Sequence, residues 1–178
     1  MIMVACAAGV LFSGQAGNGE TNAVKLISGY QKWKKTNKEP VRIEPVFAVF
    51  CAQVNPNQGR LDKADPHKNK YINVYVNETG YQEFISKKEP QFAEGTVIVK
   101  EKLASTNSAP ELLTAMVKRK AGFDGKNGDW EYFALDGKGR KVLSEGHTEN
   151  CRECHEMQKG SDYVFRRELG PDIRRDMK

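Results

Sequence analysis

The chain has 178 residues and a mass of 20.0 kDa, which fits one domain and suffices to bury a core without staples. Apolar residues make up 39%, charged residues 29%, and mean hydropathy is −0.64; no apolar run reaches the ~20 residues of a membrane span, which excludes an integral helical membrane protein. The net charge of +5 is spread along the chain rather than gathered into a stripe with interleaved aromatics, so a dedicated nucleic-acid binder is excluded and an acidic partner is favoured.

Residues 1–16 carry no charge and are rich in Ala, Val, Met and Gly, with an apolar segment from Met1 to Phe12. Small residues around Gly14-Gln15-Ala16 match what signal peptidase reads, so residues 1–16 are expected to be removed and 17–178 to form the exported, periplasmic chain. The basic residue that usually precedes such a segment is missing, and a buried N-terminal helix or lipoprotein processing at Cys6 are the alternatives. Export leaves three cysteines in an oxidising compartment, Cys51, Cys151 and Cys154, an odd count that argues against a simple disulfide framework. Cys51 lies in the apolar run Val46–Ala52 and reads as a small buried hydrophobe.

In chain order, Val24, Ile27, Tyr30 and Trp33 have a helical period over Asn22–Lys35 behind a Thr21/Asn22 cap. Asn55–Lys70 is polar and reads as a long loop. Tyr71–Asn77 alternates as a strand, Gly80–Ser86 reads as a short helix, and Thr96–Lys100 as a second strand. Ser108–Lys118 is in conflict: Ser108-Ala109-Pro110-Glu111 resembles a helix capping box, but the neighbouring strands favour a strand over Leu112–Lys118. Trp130–Leu135 is a further strand, turning at Asp136-Gly137-Lys138-Gly139 into Lys141-Val142-Leu143 as a hairpin. Ser161/Asp162 is expected to cap a last helix that ends at Gly170-Pro171.

Chemistry concentrates in Cys151-Arg152-Glu153-Cys154-His155, a Cys-x-x-Cys-His sequence of the kind that attaches c-type haem. Two thiols three residues apart can add to the two vinyl groups of one macrocycle edge, and the adjacent histidine is then delivered to the iron as an axial ligand. A zinc site would need a second tight ligand pair, and the chain offers only Cys51, His67 and His147. A thioredoxin-like redox pair would sit at a strand–helix junction near the N-terminus rather than late in the chain. Met157 is two residues from His155 and cannot reach the opposite face of the same iron; Met177 lies in a charged terminus expected to fray, and Met116 reads as core. The sixth iron position is therefore expected to be open, where small molecules bind and react.

From about Tyr71 to Leu169 the chain resembles the cytochrome P-460 family, which includes the cytochromes c′-beta. The matching segments are Val74-Tyr75-Val76-Asn77, Gly95-Thr96-Val97-Ile98-Val99-Lys100-Glu101, Leu113-Thr114-Ala115-Met116-Val117-Lys118, Asp129-Trp130-Glu131-Tyr132, and Cys151–His155 followed by Asp162-Tyr163-Val164-Phe165. The resemblance implies an α+β fold, mainly antiparallel β-sheet with a few flanking helices. It further implies export, a homodimer, and one covalently attached haem c with five-coordinate iron.

In hydroxylamine-oxidising members a lysine is joined to a meso carbon of the macrocycle, and the matching residue here is Lys100. Period-2 alternation puts Lys100 on one strand face with Thr96 and Ile98; a strand-end lysine whose amine reaches water, or one near haem without a bond, are the other readings. Active members also use a distal carboxylate shortly before the attachment motif, for which Glu145 and Glu149 are the candidates, each weighed against a solvated loop glutamate. Some members place an arginine on the strand leading into Val-Tyr-Val; Tyr71-Ile72-Asn73 has none. His67 and His147 read as solvated loop residues.

Three functions follow as expectations. The first is an oxidoreductase acting on hydroxylamine or a related small nitrogen-oxide species, with an external cytochrome as electron acceptor. The second is a non-enzymatic haem protein that binds nitric oxide or carbon monoxide, and the third is an electron carrier with a sixth protein ligand. The presence of Lys100 favours the first.

Overall fold

The computed structural model describes residues 19–43, 70–146 and 148–178, and the side chains within them from residue 22 onward. Expectations for residues 1–16, Cys51 and its apolar run, the 55–69 loop, His67 and His147 lie outside the described residues.

Seven strands among the described residues form one antiparallel sheet: β1 Lys34–Lys35, β2 Val41–Arg42, β3 Tyr71–Val76, β4 Val97–Leu103, β5 Pro110–Lys118, β6 Trp130–Asp136 and β7 Val142–Gly146. The order is β1-β3-β4-β5-β6-β7, with β2 also pairing β3. The helices are α1 Gly19–Leu26, α2 Glu78–Ser86, α3 Glu149–Glu156 and α4 Pro171–Arg175. The α+β class expected from the sequence is the one observed. No helix among the described residues is long and apolar enough to cross a membrane.

Both sheet faces are buried, which is why β4 and β5 read as near-continuous apolar runs rather than clean alternation. One face presents Ile72, Val74, Val76, Ile98, Met116, Trp130 and Tyr132, packed against Phe84 of α2, Phe92, and Tyr163, Val164 and Leu169 of the C-terminal segment. The other presents Val97, Val99, Leu113, Ala115, Val117, Phe133 and Leu135, covered by Ala23 and Ile27 of the α1 region and by Tyr30. Register fixes these sets: Val74 faces Lys100, Lys100 faces Thr114, and Met116 faces Tyr132. A one-residue slip would exchange the two faces. On the second face a buried carboxylate is satisfied locally, since Tyr30 Oη donates to Glu101 Oε1 (2.8 Å) and Asn73 Nδ2 to Glu101 Oε2 (2.9 Å).

Three expectations are corrected. The helix expected over Asn22–Lys35 stops at Leu26; Gly29 turns left-handed (φ 73°), a 3-10 turn follows at Tyr30–Lys32, and β1 begins at Lys34. Ile27 and Tyr30 are buried as the period demanded, but burial on one face does not require a continuous helix. The last helix expected from Ser161 is replaced by a 3-10 turn at Lys159–Ser161 and an irregular run, with α4 starting only at Pro171. Asp162 does not cap; its carboxylate is taken by Lys118 and the Phe92 amide. Nor does the C-terminus fray: Lys178 N donates to Ser86 O (3.0 Å), Lys88 N donates to Lys178 O (2.8 Å), and Met177 packs on the core.

The remaining elements follow their local chemistry. β5 is a strand despite the capping-box pattern, because pairing with β4 and β6 on both sides satisfies its backbone. Met116 is in the core, as expected. In the β6–β7 turn, Asp136 accepts from the Arg140 amide (2.7 Å) and the Lys141 amide (2.9 Å), while Gly139 takes the left-handed position (φ 67°). Those amide bonds hold the Asp136 carboxyl below its ordinary value.

Candidate functional site

Helix α3 carries the attachment motif directly after the β6–β7 hairpin. Thr148 starts it, its carbonyl accepting from the amides of Cys151 (3.0 Å) and Arg152 (3.1 Å). Cys151 and Cys154 stand three apart, and His155 stands four from Cys151, so all three share one helix face. Cys154 is buried, and Cys151 and His155 are half-buried. Arg152 anchors the helix from its side: Nε lies 3.2 Å from Asp124 Oδ2, and Nη1 lies 3.2 Å from Glu149 Oε2.

The state of His155 is set by one bond. Nδ1 lies 2.7 Å from the Tyr163 carbonyl oxygen, which can only accept, so the ring proton is assigned to Nδ1 and Nε2 keeps its lone pair. The imidazole is packed between aromatic rings, with centroids 5.1 Å from Tyr132 and 5.1 Å from Phe165. Burial pushes its pKa down to about 4; the Tyr163 carbonyl opposes this, and the nearby positive charges of Lys100 and Lys102 add to it. The ring is therefore neutral at neutral pH, the form in which histidine binds a metal.

Lys100 stands on β4 between Val74 and Thr114, half-buried, on the same sheet face as Ile98, Met116 and Tyr132. This is the face next to which His155 packs. Glu145 is exposed and pairs in register with Phe133, on the opposite face. Glu149 lies in the first turn of α3 with its side chain 66% exposed and paired with Arg152. The fold thus gathers Cys151, Cys154, His155 and Lys100, and brings neither glutamate to Lys100.

Three further residues belong to this region. Lys102 is buried on the Lys100 face, and period-2 spacing from Lys100 was enough to locate it. Tyr132 has a buried hydroxyl with no hydrogen-bond partner among the described residues, and burial, followed by the neighbouring Cys151, raises its pKa above the ordinary value. Glu168 is 4% exposed, with Oε1 unpartnered among the described residues. Burial raises its pKa above 4.5, against the pull of Lys100, Arg166 and a Thr36 hydrogen bond. Glu168 sits in Arg166-Arg167-Glu168, which reads as a surface charge run, so no local pattern marked it.

These residues fit a haem attached through α3. Two cysteines and a neutral imidazole with Nε2 unprotonated are on one helix face, and a buried hydroxyl beside them lacks a protein partner. No three His, Cys, Asp or Glu side chains among the described residues converge as a metal cage, so the second half of a zinc site is not found there.

No curated protein matches the sequence. The family model described as Cytochrome P460 matches residues 27–166, a span that runs from the α1 region through the whole sheet to the segment beyond α3. With Cys151, Cys154 and His155 set as c-type haem attachment requires, the chain belongs to the cytochrome P460 family of haem proteins.

Proposed function

We propose that the protein is an exported, periplasmic mono-haem cytochrome, with Cys151 and Cys154 as thioether anchors and His155 Nε2 as the axial iron ligand, that oxidises hydroxylamine or a related small nitrogen-oxide species. The single observation that supports it most is the 2.7 Å bond from His155 Nδ1 to the Tyr163 carbonyl, which orients the ring and leaves Nε2 for the metal. Bound haem would supply an iron centre that takes up the small ligand and passes electrons to an external cytochrome. Lys100, on the face beside His155, is the proposed residue for a bond to the macrocycle. Glu168, sharing the electrostatic environment of Lys100 with its pKa raised by burial, has the character of a proton acceptor. The reading includes removal of residues 1–16 and a homodimer.

A second reading is favoured by a specific observation: Glu145 faces away from Lys100 and Glu149 is solvent-exposed. Without a carboxylate from the loop before the motif, a five-coordinate haem would capture nitric oxide or carbon monoxide and not turn over hydroxylamine.

Peptide mapping of the pigmented protein separates the two. On the first reading the tryptic peptides of Lys100 and Cys151–Cys154 are linked through haem, and hydroxylamine reduces an added electron acceptor. On the second, haem stays on the cysteine peptide alone and hydroxylamine reduces nothing. Pigment extracted by acidified butanone, or a colourless wild type, overturns both. Cys151→Ser with Cys154→Ser is expected to abolish covalent pigment.

A further inference from the structure

The carbonyl that orients His155 is presented by a backbone conformation that L side chains rarely adopt. Asp162 and Tyr163 are consecutive non-glycine residues at φ 48° and 64°, both left-handed. Such a pair persists only where its surroundings over-determine it, and it recurs where a site needs a fixed geometry.

The surroundings here converge on Asp162. Lys118 Nζ donates to both of its carboxylate oxygens, at 2.7 and 2.6 Å, and the Phe92 amide donates to Oδ2 at 2.9 Å. Trp130 Nε1 donates to the Asp162 carbonyl at 2.8 Å, and the Lys118 ammonium sits 5.0 Å from the centroid of the same indole. Tyr163 is fixed next: its hydroxyl donates to Lys126 O at 2.9 Å and its amide to Gln158 O at 2.8 Å. Gly128 leaves the room this requires, since a Cβ there would come within 2.5 Å of Tyr163 Cδ2. The ion pair is nearly buried, with side-chain exposures of 13% for Lys118 and 6% for Asp162. A pair so far from water is a poor source of net stability against an apolar substitute, and its directional bonds fix a unique geometry.

We infer that Lys118 and Asp162 are positioning residues for His155: the ion pair between β5 and the C-terminal segment locks the left-handed Asp162–Tyr163 turn, and the turn aims the Tyr163 carbonyl at Nδ1. Neither residue touches the imidazole. The ion pair acts through the backbone on how strongly Nδ1–H is bound, and so on how good a donor Nε2 is to iron. This rests on the haem reading for its consequence at the metal, but not for its effect on the ring proton.

The test uses the holoprotein and three variants: Asp162→Asn, Lys118→Met and Lys118→Arg. Loosening the turn weakens the Nδ1–H bond and makes the imidazole a poorer donor. Resonance Raman of the ferrous protein is then expected to show the iron–imidazole stretch at lower frequency in Asp162→Asn and Lys118→Met. The ferrous state is expected to gain on the ferric by roughly tenfold, a rise of about 59 mV in midpoint potential. Lys118→Arg, which retains the ion pair, returns both towards wild type. A third readout is independent of iron chemistry: hydrogen exchange of the His155 Nδ1 proton, followed by NMR in the diamagnetic ferrous carbon monoxide form, or directly in a colourless chain. Exchange is expected to speed up by roughly tenfold or more in the two loosened variants.

Wild-type values for frequency, potential and exchange in both Asp162→Asn and Lys118→Met overturn the inference. If Asp162→Asn does not fold, the Lys118→Met and Lys118→Arg pair decides by the same readouts. A wild type with no pigment overturns the haem reading alone, and the exchange measurement still decides whether Lys118 and Asp162 position the ring.

Discussion

Glu168 shows what burial does to one carboxyl. It is 4% exposed, and burial raises its pKa above 4.5 while Lys100, Arg166 and Thr36 only partly offset the shift. A raised folded-state value means the folded chain holds a proton that the unfolded chain has released. The contribution to stability is therefore present below pH 4.5 and is lost as pH rises through the folded value. Glu168→Gln has no charge to bury, so its melting temperature should gain on wild type from pH 5 to pH 8, which thermal melts across that range would show. Equal shifts at both ends would mean that Glu168 does not titrate differently on folding. At this scale the sequence was informative where identity and spacing are the chemistry, as for Cys151, Cys154 and His155. It was silent on Glu168, because a glutamate beside two arginines looks solvated until its neighbours are known.

Among the elements, α2 and the β6–β7 hairpin owe their form to single residues. Asn77 Oδ1 accepts from the Gly80 amide (3.3 Å) at the first turn of α2 and from the Val97 amide (3.1 Å), and Nδ2 donates to Gly95 O (2.8 Å). One side chain thereby caps a helix and ties it to β4. Asn77→Ala should lower unfolding free energy by about 1–2 kcal/mol in denaturant titration, while Asn77→Asp, which keeps the acceptor, should lose less. In the hairpin, a Cβ on Gly137 would lie 1.9 Å from the Pro110 carbonyl oxygen, a backbone atom that cannot swing aside. Gly137→Ala should therefore cost about 1–3 kcal/mol by the same measurement, with Glu111 and the start of β5 displaced. Strand and turn signals near these residues were legible in the sequence because they are local. The helix expected over Asn22–Lys35 was not, since a 3.6-residue period reports which residues are buried, and a turn through Gly29 buries Ile27 and Tyr30 just as well.

For the molecule as a whole, the two-faced sheet divides the candidate site. β4 sends Lys100 and Lys102 to the His155 side and Glu101 to the other, so adjacent charged residues meet opposite environments. The homodimer is expected to show as a particle of twice the chain mass by sedimentation equilibrium of the pigmented protein; a single-chain mass at every concentration would remove that part of the proposal. The sequence by itself determined the attachment chemistry, the strand pattern and the family, because thiol spacing, period-2 alternation and turn residues act within a few positions of one another. Tertiary structure alone decided which side of the sheet each candidate occupies, that Glu145 turns away from Lys100, and that Lys118 and Asp162 meet across 44 positions of chain. Those facts depend on strand register and on how the C-terminal segment packs back over the sheet, and neither is encoded in any local stretch of residues.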